Sequence, residues 1–296
     1  MTKHSCTNLP MQKKIGTIKT DNNGFNAIAA LAEGAYDFSF ETLELDFCEC
    51  SFFDANMAAP LYAVLTKYNL CEIKTTNLRN KIEKIFQKNG FLCELGFPRL
   101  PDTNQTTLPF RSFSLDSIQE FNIYLSEYMR ERGIPSMTEG LRRAFLRSLL
   151  EIFQNAVEHS FSDYDIYVCG QFFPNLHRLD FTIADAGMGI RENVRRHLNN
   201  KMNSIPAIKW VLEEGHSTKK DKLGGLGLKL IKSFVMLNKG KVQIVSRYGF
   251  YEFSCSGETF SKLDHDFPGT CVNIEINTND PYGYALQSEL KSSDIF

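Results

Sequence analysis

The apolar spacing around residue 150 constrains this chain more than any other feature. In Leu149-Leu150-Glu151-Ile152-Phe153-Gln154-Asn155-Ala156-Val157-Glu158-His159-Ser160, the residues Leu149, Ile152, Phe153, Ala156 and Val157 recur at helical intervals. One face of the helix must be buried, and Glu151, Asn155 and Glu158 share another. The start signal lies upstream in Ser136-Met137-Thr138-Glu139, after the breaker Gly133-Ile134-Pro135. On an isolated amphipathic helix, a Glu and an Asn one turn apart are usually plain solvated surface.

Two segments downstream change that reading. Leu179-Asp180-Phe181-Thr182-Ile183-Ala184 reads as a strand and runs into Asp185-Ala186-Gly187-Met188-Gly189-Ile190, a carboxylate followed by a glycine-permissive bend. Then Leu223-Gly224-Gly225-Leu226-Gly227-Leu228-Lys229-Leu230 opens an apolar helix with a Gly-rich turn, which exposes backbone N–H groups where the helix end favours phosphate. No G-x-x-x-x-G-K-[ST] run occurs, so the turn is not a P-loop. In this company the pair on the long helix gains chemical meaning. A carboxylate can orient or deprotonate a nucleophile, and an amide oxygen suits Mg²⁺, which keeps several waters and leans on substrate phosphates.

In this order the three segments resemble the GHKL ATPases: gyrase-type topoisomerases, chaperones of the ninety-kilodalton heat-shock class, mismatch-repair ATPases, histidine kinases and anti-sigma-factor serine kinases. The matching motifs are an E-x-x-x-N-A box from Glu151 to Ala156, a D-x-G-x-G box at Asp185, Gly187 and Gly189, and a Gly-rich box at Gly224, Gly225 and Gly227. A late G-T, Gly269-Thr270, precedes the strand pattern Val272-Asn273-Ile274-Glu275-Ile276. The resemblance covers about the last 180 residues. It implies an α/β fold, a two-layer α/β sandwich of GHKL ATPase type binding ATP and Mg²⁺. By the same resemblance Asp185 would accept a hydrogen bond from the adenine amino group with Thr270 supporting it, and Gly187 and Gly189 would complete that end. Asn155 would ligate Mg²⁺, and Glu151 would be the catalytic base. Gly224, Gly225, Leu226, Gly227 and Leu228 would form the phosphate-holding turn. The segment from Ile190 to Leu223 would be the lid over the nucleotide, with Lys219 reaching a terminal phosphate. The chain departs from many kinases at Leu223, where they carry a further glycine.

Composition limits the alternatives. A chain of 296 residues suits about two domains at roughly 100 to 200 residues each. Its 43% hydrophobic residues suffice for two cores. The net charge of −2, with Lys and Arg scattered, gives no basic footprint for nucleic acid. No run of 18 or more apolar residues points to a membrane span, so the expectation is a cytoplasmic protein. Eight dispersed cysteines, with Cys48 and Cys50 lacking a second pair, fit reduced thiols better than disulfides or zinc. His159 and His216 have no companions at metal-ligand spacing.

The first third reads as a smaller α/β unit. Residues 36 to 47 end in strand-like alternation, and the helix-like run from Met57 to Tyr68 comes after Asp54 and Asn56, either of which suits its N-cap. A second helix, from Lys81 to Lys88, stops at Asn89-Gly90. This strand, loop and helix order resembles a STAS domain, the module of anti-sigma-factor antagonists, whose loop D-S-[ST]-G caps a helix. Here that loop reads Asp54-Ala55-Asn56-Met57, without hydroxyl or glycine, so phosphorylation of it is not expected. The polar, Pro-containing stretch from Gly96 to Pro109 separates a STAS-like regulatory or partner-binding domain over 1–107 from the ATP-binding domain over 108–296.

Together these readings describe a Mg²⁺-dependent ATP-binding protein, an ATPase-driven signalling switch with an unidentified regulatory protein partner, or a homodimer, and with neither nucleic acid nor membrane. A protein serine/threonine kinase of the anti-sigma-factor type, acting on a separate STAS-type or other partner, is the alternative. A histidine kinase fits less well, because no histidine lies between His4 and His159. The family shares a pocket and not one reaction, so the fold alone does not choose among these.

Overall fold

In the computed structural model the described residues are 11–34, 42–68, 72–129, 133–213, 216 and 226–289. The N-terminal unit alternates strand and helix: β1 (Met11–Lys14), α1 (Asn22–Leu31), β2 (Thr42–Asp46), α2 (Ala58–Leu65), β3 (Glu72–Thr76) and α3 (Asn80–Asn89). Its strands pair in parallel in the order β1-β2-β3. The remainder contains β4 (Thr107–Phe113), α4 (Ile118–Tyr128), α5 (Glu139–His159), β5 (Ile166–Phe173), β6 (Arg178–Asp185), α6 (Gly189–Leu198), α7 (Ser204–Leu212), α8 (Leu226–Asn238), β7 (Lys241–Ser254) and β8 (Gly257–Asn277). Its five strands form an antiparallel sheet in the order β4-β5-β6-β8-β7. The expected mixed α/β fold is present.

The expected start of α5 also holds, since Thr138 accepts a hydrogen bond from the Leu141 N–H and caps the helix. The apolar stripe of α5 (Leu141, Phe145, Leu149, Ile152 and Phe153) is buried against one face of the sheet, beside Phe121 and Leu125 of α4 and Ile231, Phe234 and Val235 of α8. Strand alternation supplies the matching surface, because Leu179, Phe181 and Ile183 of β6 point to these helices.

The other sheet face is covered by the N-terminal unit, and a single apolar cluster runs across the junction. It joins Phe25, Leu43, Phe47, Val64 and Phe86 to Phe110, Tyr167, Ala184, Phe250 and Phe267. Aromatic contacts continue through it: Phe86 meets Phe91 edge-on at 4.9 Å, Phe91 meets Phe110 at 5.6 Å, and Tyr62 lies 5.0 Å from Tyr167.

Alternation also turns Asp180, Thr182, Asn273 and Gln243 toward the N-terminal unit, and all four are buried. Their partners come from Thr20 and the turn Asp54-Ala55-Asn56. Asn56 Nδ2 donates to Thr182 Oγ1 (3.0 Å), Thr182 Oγ1 to Asn273 Oδ1 (2.7 Å), and Asn273 Nδ2 to Gln243 Oε1 (3.0 Å). Gln243 Nε2 donates to the Thr20 carbonyl (3.1 Å), and Asn56 Nδ2 reaches Thr20 Oγ1 (3.1 Å), which closes the circuit. Alongside it, Arg178 Nη2 donates to Asp54 Oδ1 (2.8 Å), while the Ala55 N–H donates to Gln171 Oε1 (2.6 Å). Arg178 Nε also lies 2.9 Å from Asp180 Oδ2, an ionic contact without hydrogen-bond alignment. Burial pushes the Asp180 carboxyl well above the usual range, and Arg178 opposes that shift.

These contacts correct the capping expectation for α2. Neither Asp54 nor Asn56 makes a side-chain cap bond, because both side chains are used across the junction. A buried ion pair that loses one member leaves the other charge uncompensated. Asp54→Ala should therefore lower the urea-unfolding free energy by about 3–5 kcal/mol, and Asn56→Ala by about 1–3 kcal/mol. Breaking the exposed Lys14–Glu49 pair should cost under about 1 kcal/mol. Equal effects at all three sites would refute the energetic role assigned to the turn.

Candidate functional site

The bend after Asp185 is held against the end of α5. The Ser160 carbonyl accepts the Met188 N–H (2.8 Å), which fixes the bend after β6 against the helix terminus. Gly187 permits this approach, since a Cβ there would lie 2.1 Å from the Ser160 oxygen. Asn193 of α6 adds a second tie, its Nδ2 donating to the His159 carbonyl at 2.7 Å.

Asp185 ends β6, on the face opposite the junction, and is 4% exposed. Its Oδ1 accepts the N–H groups of Gly187 (2.8 Å) and Thr270 (3.2 Å). Register explains the second contact, because Asp185 is the β-partner of Thr270. Gly269 adopts φ +103°, and a side chain there would collide with the Asp185 backbone. Burial pushes the Asp185 carboxyl up to about 7, against the pull of the two N–H donors and of Lys67.

Ser246 of β7 is a site residue that sequence reading missed. Its hydroxyl donates to the Gly269 carbonyl (2.9 Å), accepts the Ile190 N–H (2.8 Å) and lies 3.1 Å from Thr270 Oγ1. It joins the D-x-G-x-G bend to the Gly-Thr turn. A serine inside an alternating strand carries no motif, so only the register could reveal it. Ser160 Oγ, at the rim of the same cradle, is buried with no hydrogen-bond partner among the described residues. A buried carboxylate beside an unsatisfied hydroxyl suits a polar ligand that carries a hydrogen-bond donor.

Glu151 and Asn155 are half-buried on the flank of α5, next to its apolar stripe. Their separation along the axis is about 6 Å, and Asn155 is one turn from the end pinned to Gly187. No pair of carboxylates needs to surround a cation here. A single amide oxygen completed by waters and phosphates is an ordinary way to hold Mg²⁺. Leu226 and Gly227 open α8, and Leu228 is half-buried against the helical core. Gly224, Gly225 and Lys219 lie outside the described residues. Of the segment expected to form a lid, residues 190–213 and 216 are described, and residues 214, 215 and 217–223 are not.

The family model for histidine kinase-, DNA gyrase B- and HSP90-like ATPases matches residues 140–279. This region is a GHKL-type ATPase domain. The match takes in α5 through β8, and thus Glu151, Asn155, Asp185, Gly187, Gly189 and Thr270. A comparison with curated proteins returned no match. No helix among the described residues is long and apolar enough to cross a membrane. All six cysteines described in the ATPase domain and the N-terminal unit are free thiols.

The raised Asp185 value has a consequence for folding. The folded state holds a proton that the unfolded chain, with an ordinary value of 3.8, releases earlier, so this carboxyl costs stability increasingly as pH rises from 3.8 to about 7. Asp185→Asn keeps an oxygen for both N–H donors and removes the charge. It should raise stability by about 4 kcal/mol at pH 8 and leave it nearly unchanged at pH 4. Thermal melts at the two pH values check this, and a variant destabilised at pH 8 would refute it.

Proposed function

We propose that this protein is a Mg²⁺-dependent ATP-binding switch whose ATPase domain reports nucleotide state to a protein partner. The observation that carries this reading is the buried Asp185 carboxylate, held by the N–H groups of Gly187 and Thr270 at the strand end of a region that matches the GHKL-type ATPases. Adenine offers such a donor in its exocyclic amine. A charge-assisted hydrogen bond in a dry site is among the stronger single contacts a base can make.

In this reading Thr270 and Ser246 hold the acceptor in place, and the opening of α8 faces the phosphates with unpaired N–H groups. Asn155 is the protein ligand for Mg²⁺, which supplies charge neutralisation at the phosphates when bound. Glu151, one turn further along the same helix, orients and deprotonates the attacking group. That group is water in an ATPase and a hydroxyl in a serine/threonine kinase. The kinase reading rests on the Glu-x-x-x-Asn spacing alone. The turn at Asp54-Ala55-Asn56 is not its acceptor, since it lacks hydroxyls and all three residues are buried in the junction. The STAS resemblance of the N-terminal unit thus bears on partner recognition, with the protein working in the cytoplasm alone or as a homodimer.

Calorimetric titration should show Mg²⁺-dependent binding of ATP, and Asp185→Asn should weaken it about ten-fold or more, the cost of a charged hydrogen bond. Glu151→Ala should keep affinity within a few-fold and lower turnover by about 10². Asn155→Ala should lose both turnover and Mg²⁺ dependence. Radiolabelled ATP with cell extract separates the two reactions, free phosphate marking the ATPase and protein-bound label the kinase. Unchanged affinity in Asp185→Asn would remove that residue from base recognition. Trp210, the one tryptophan in the chain, stacks on His216 at 4.7 Å and gives an independent fluorescence readout of binding.

A further inference from the structure

The polar stretch that joins the two parts of the chain is tied down at both ends. The Phe97 N–H donates to the Leu92 carbonyl (3.0 Å) and the Leu100 N–H to the Gln87 carbonyl (3.3 Å), which lays the stretch along the end of α3. Further on, Asp102 Oδ2 accepts the N–H (2.8 Å) and the hydroxyl (2.9 Å) of Thr107, where β4 begins. Between this strap, α3 and α4 lies a hollow of about 460 Å³, within the size range of small-molecule sites. Both units supply its walls: Lys88 comes from α3, Arg99 and Asp102 from the strap, Thr107 and Pro109 from β4, and Tyr128 from α4. Thr107 and Pro109 are buried, Lys88, Asp102 and Tyr128 half-buried, and Arg99 exposed, so the hollow opens to solvent on the Arg99 side. The β4 and α4 walls are braced together, since the Tyr124 hydroxyl donates to the Pro109 carbonyl (2.8 Å) and its ring lies 4.9 Å from that of Tyr128.

Two cations line the hollow, and among the described residues neither Lys88 nor Arg99 forms an ion pair. The Arg99 guanidinium lies against the left-handed C-cap of α3: a Cβ at Gly90 (φ +90°) would be 3.6 Å from its Cζ and Nη1. The helix end offsets about half a charge, and Asp102 offsets one while its oxygens are engaged by Thr107, so the lining keeps a positive surplus. The field of Arg99 reaches the opposite wall. Burial and then Glu127 push the Tyr128 phenol up, against the charges of Arg111 and Arg99.

We propose that this hollow is a second ligand site, apart from the nucleotide, that takes a small phosphate monoester. The Arg99 fork and the Lys88 ammonium hold the phosphoryl oxygens, and the apolar part of the ester lies against Pro109 and the Tyr128 ring. Arginine presents paired N–H donors that match phosphate oxygens, and lysine adds a compact charge. The strand β4 is an edge of the antiparallel sheet, with β5 between it and β6, so this ligand does not share the residues around Asp185. Because the walls belong to both units, a bound ester favours the state in which they are docked.

The test titrates the full chain with phenyl phosphate, and with inorganic phosphate and benzoate for comparison, followed by amide NMR and thermal melts. Phenyl phosphate should bind saturably, shift the amide signals of Arg99, Leu100 and Thr107, and raise the melting temperature. Inorganic phosphate, which lacks the apolar part, should bind about five-fold more weakly, and so should benzoate, which lacks the phosphoryl group. Arg99→Gln should weaken phenyl phosphate about ten-fold and Lys88→Gln about five-fold. Lys81→Gln, at an exposed lysine on the same helix, should change nothing. Absence of saturable binding overturns the proposal, as do shifts at Gly187 and Thr270 in place of the strap. Equal losses in Lys81→Gln and Arg99→Gln also overturn it, since they mark a general charge effect. Benzoate bound as tightly as phenyl phosphate overturns the assignment of the phosphoryl group. None of these outcomes bears on ATP binding, which the Asp185→Asn titration tests separately.

Discussion

A sheet covered on both faces must satisfy every polar group it buries, and this structure is organised around how it does so. The strand positions Asp180, Thr182, Gln243 and Asn273 carry polar side chains into the interior, where an unpaired donor or acceptor costs about 1–3 kcal/mol. Their hydrogen bonds close through Thr20 and Asn56, residues that are far away in sequence. Neither half of the circuit is satisfied without the other. The N-terminal unit is thus a wall of the ATPase domain's interior, and the apolar cluster that runs across the same junction adds the non-directional part of the attachment.

A rigid back face has consequences for the front. In a strand the side chains alternate, so fixing Asp180, Thr182 and Ala184 against the N-terminal unit also fixes Asp185 toward the helices. Asp185 is then held by backbone N–H groups, and Ser246 ties the bend after it to the Gly-Thr turn. The carboxylate sits in a setting where its own ionisation is nearly balanced. Nearby charges matter more in such a place than on the surface, because little water screens them.

Much of the site was legible in the sequence because its motifs are local. A carboxylate followed by G-x-G specifies a strand end and a bend within five residues, and both appear where expected, with Gly187 used for the close approach of Ser160. The helix carrying Glu151 and Asn155 was legible from its apolar period and its Thr138 cap. The strands β4, β5 and β7 were not, since their alternation is interrupted and no motif marks them. The role of Asp54 and Asn56 was misjudged for a related reason. Both are good capping residues, and local chemistry offers no sign that a distant arginine and threonine will claim their side chains.

The sequence by itself determined the local grammar of this protein: which stretch is the long helix, where its buried stripe lies, and which carboxylate and glycines stand at the strand end. These come from spacing of 2.0 or 3.6 residues and from the backbone freedom of glycine, which act over a few neighbours. Tertiary structure alone decided that the described residues of the N-terminal unit form the second cover of the ATPase domain's sheet, and that Ser246 ties the bend after Asp185 to the Gly-Thr turn. Those outcomes depend on register and on the satisfaction of buried polar groups between segments up to some 220 residues apart, such as Thr20 and Gln243. Spacing along the chain carries no record of such pairings, because they are selected only when two surfaces meet and exclude water.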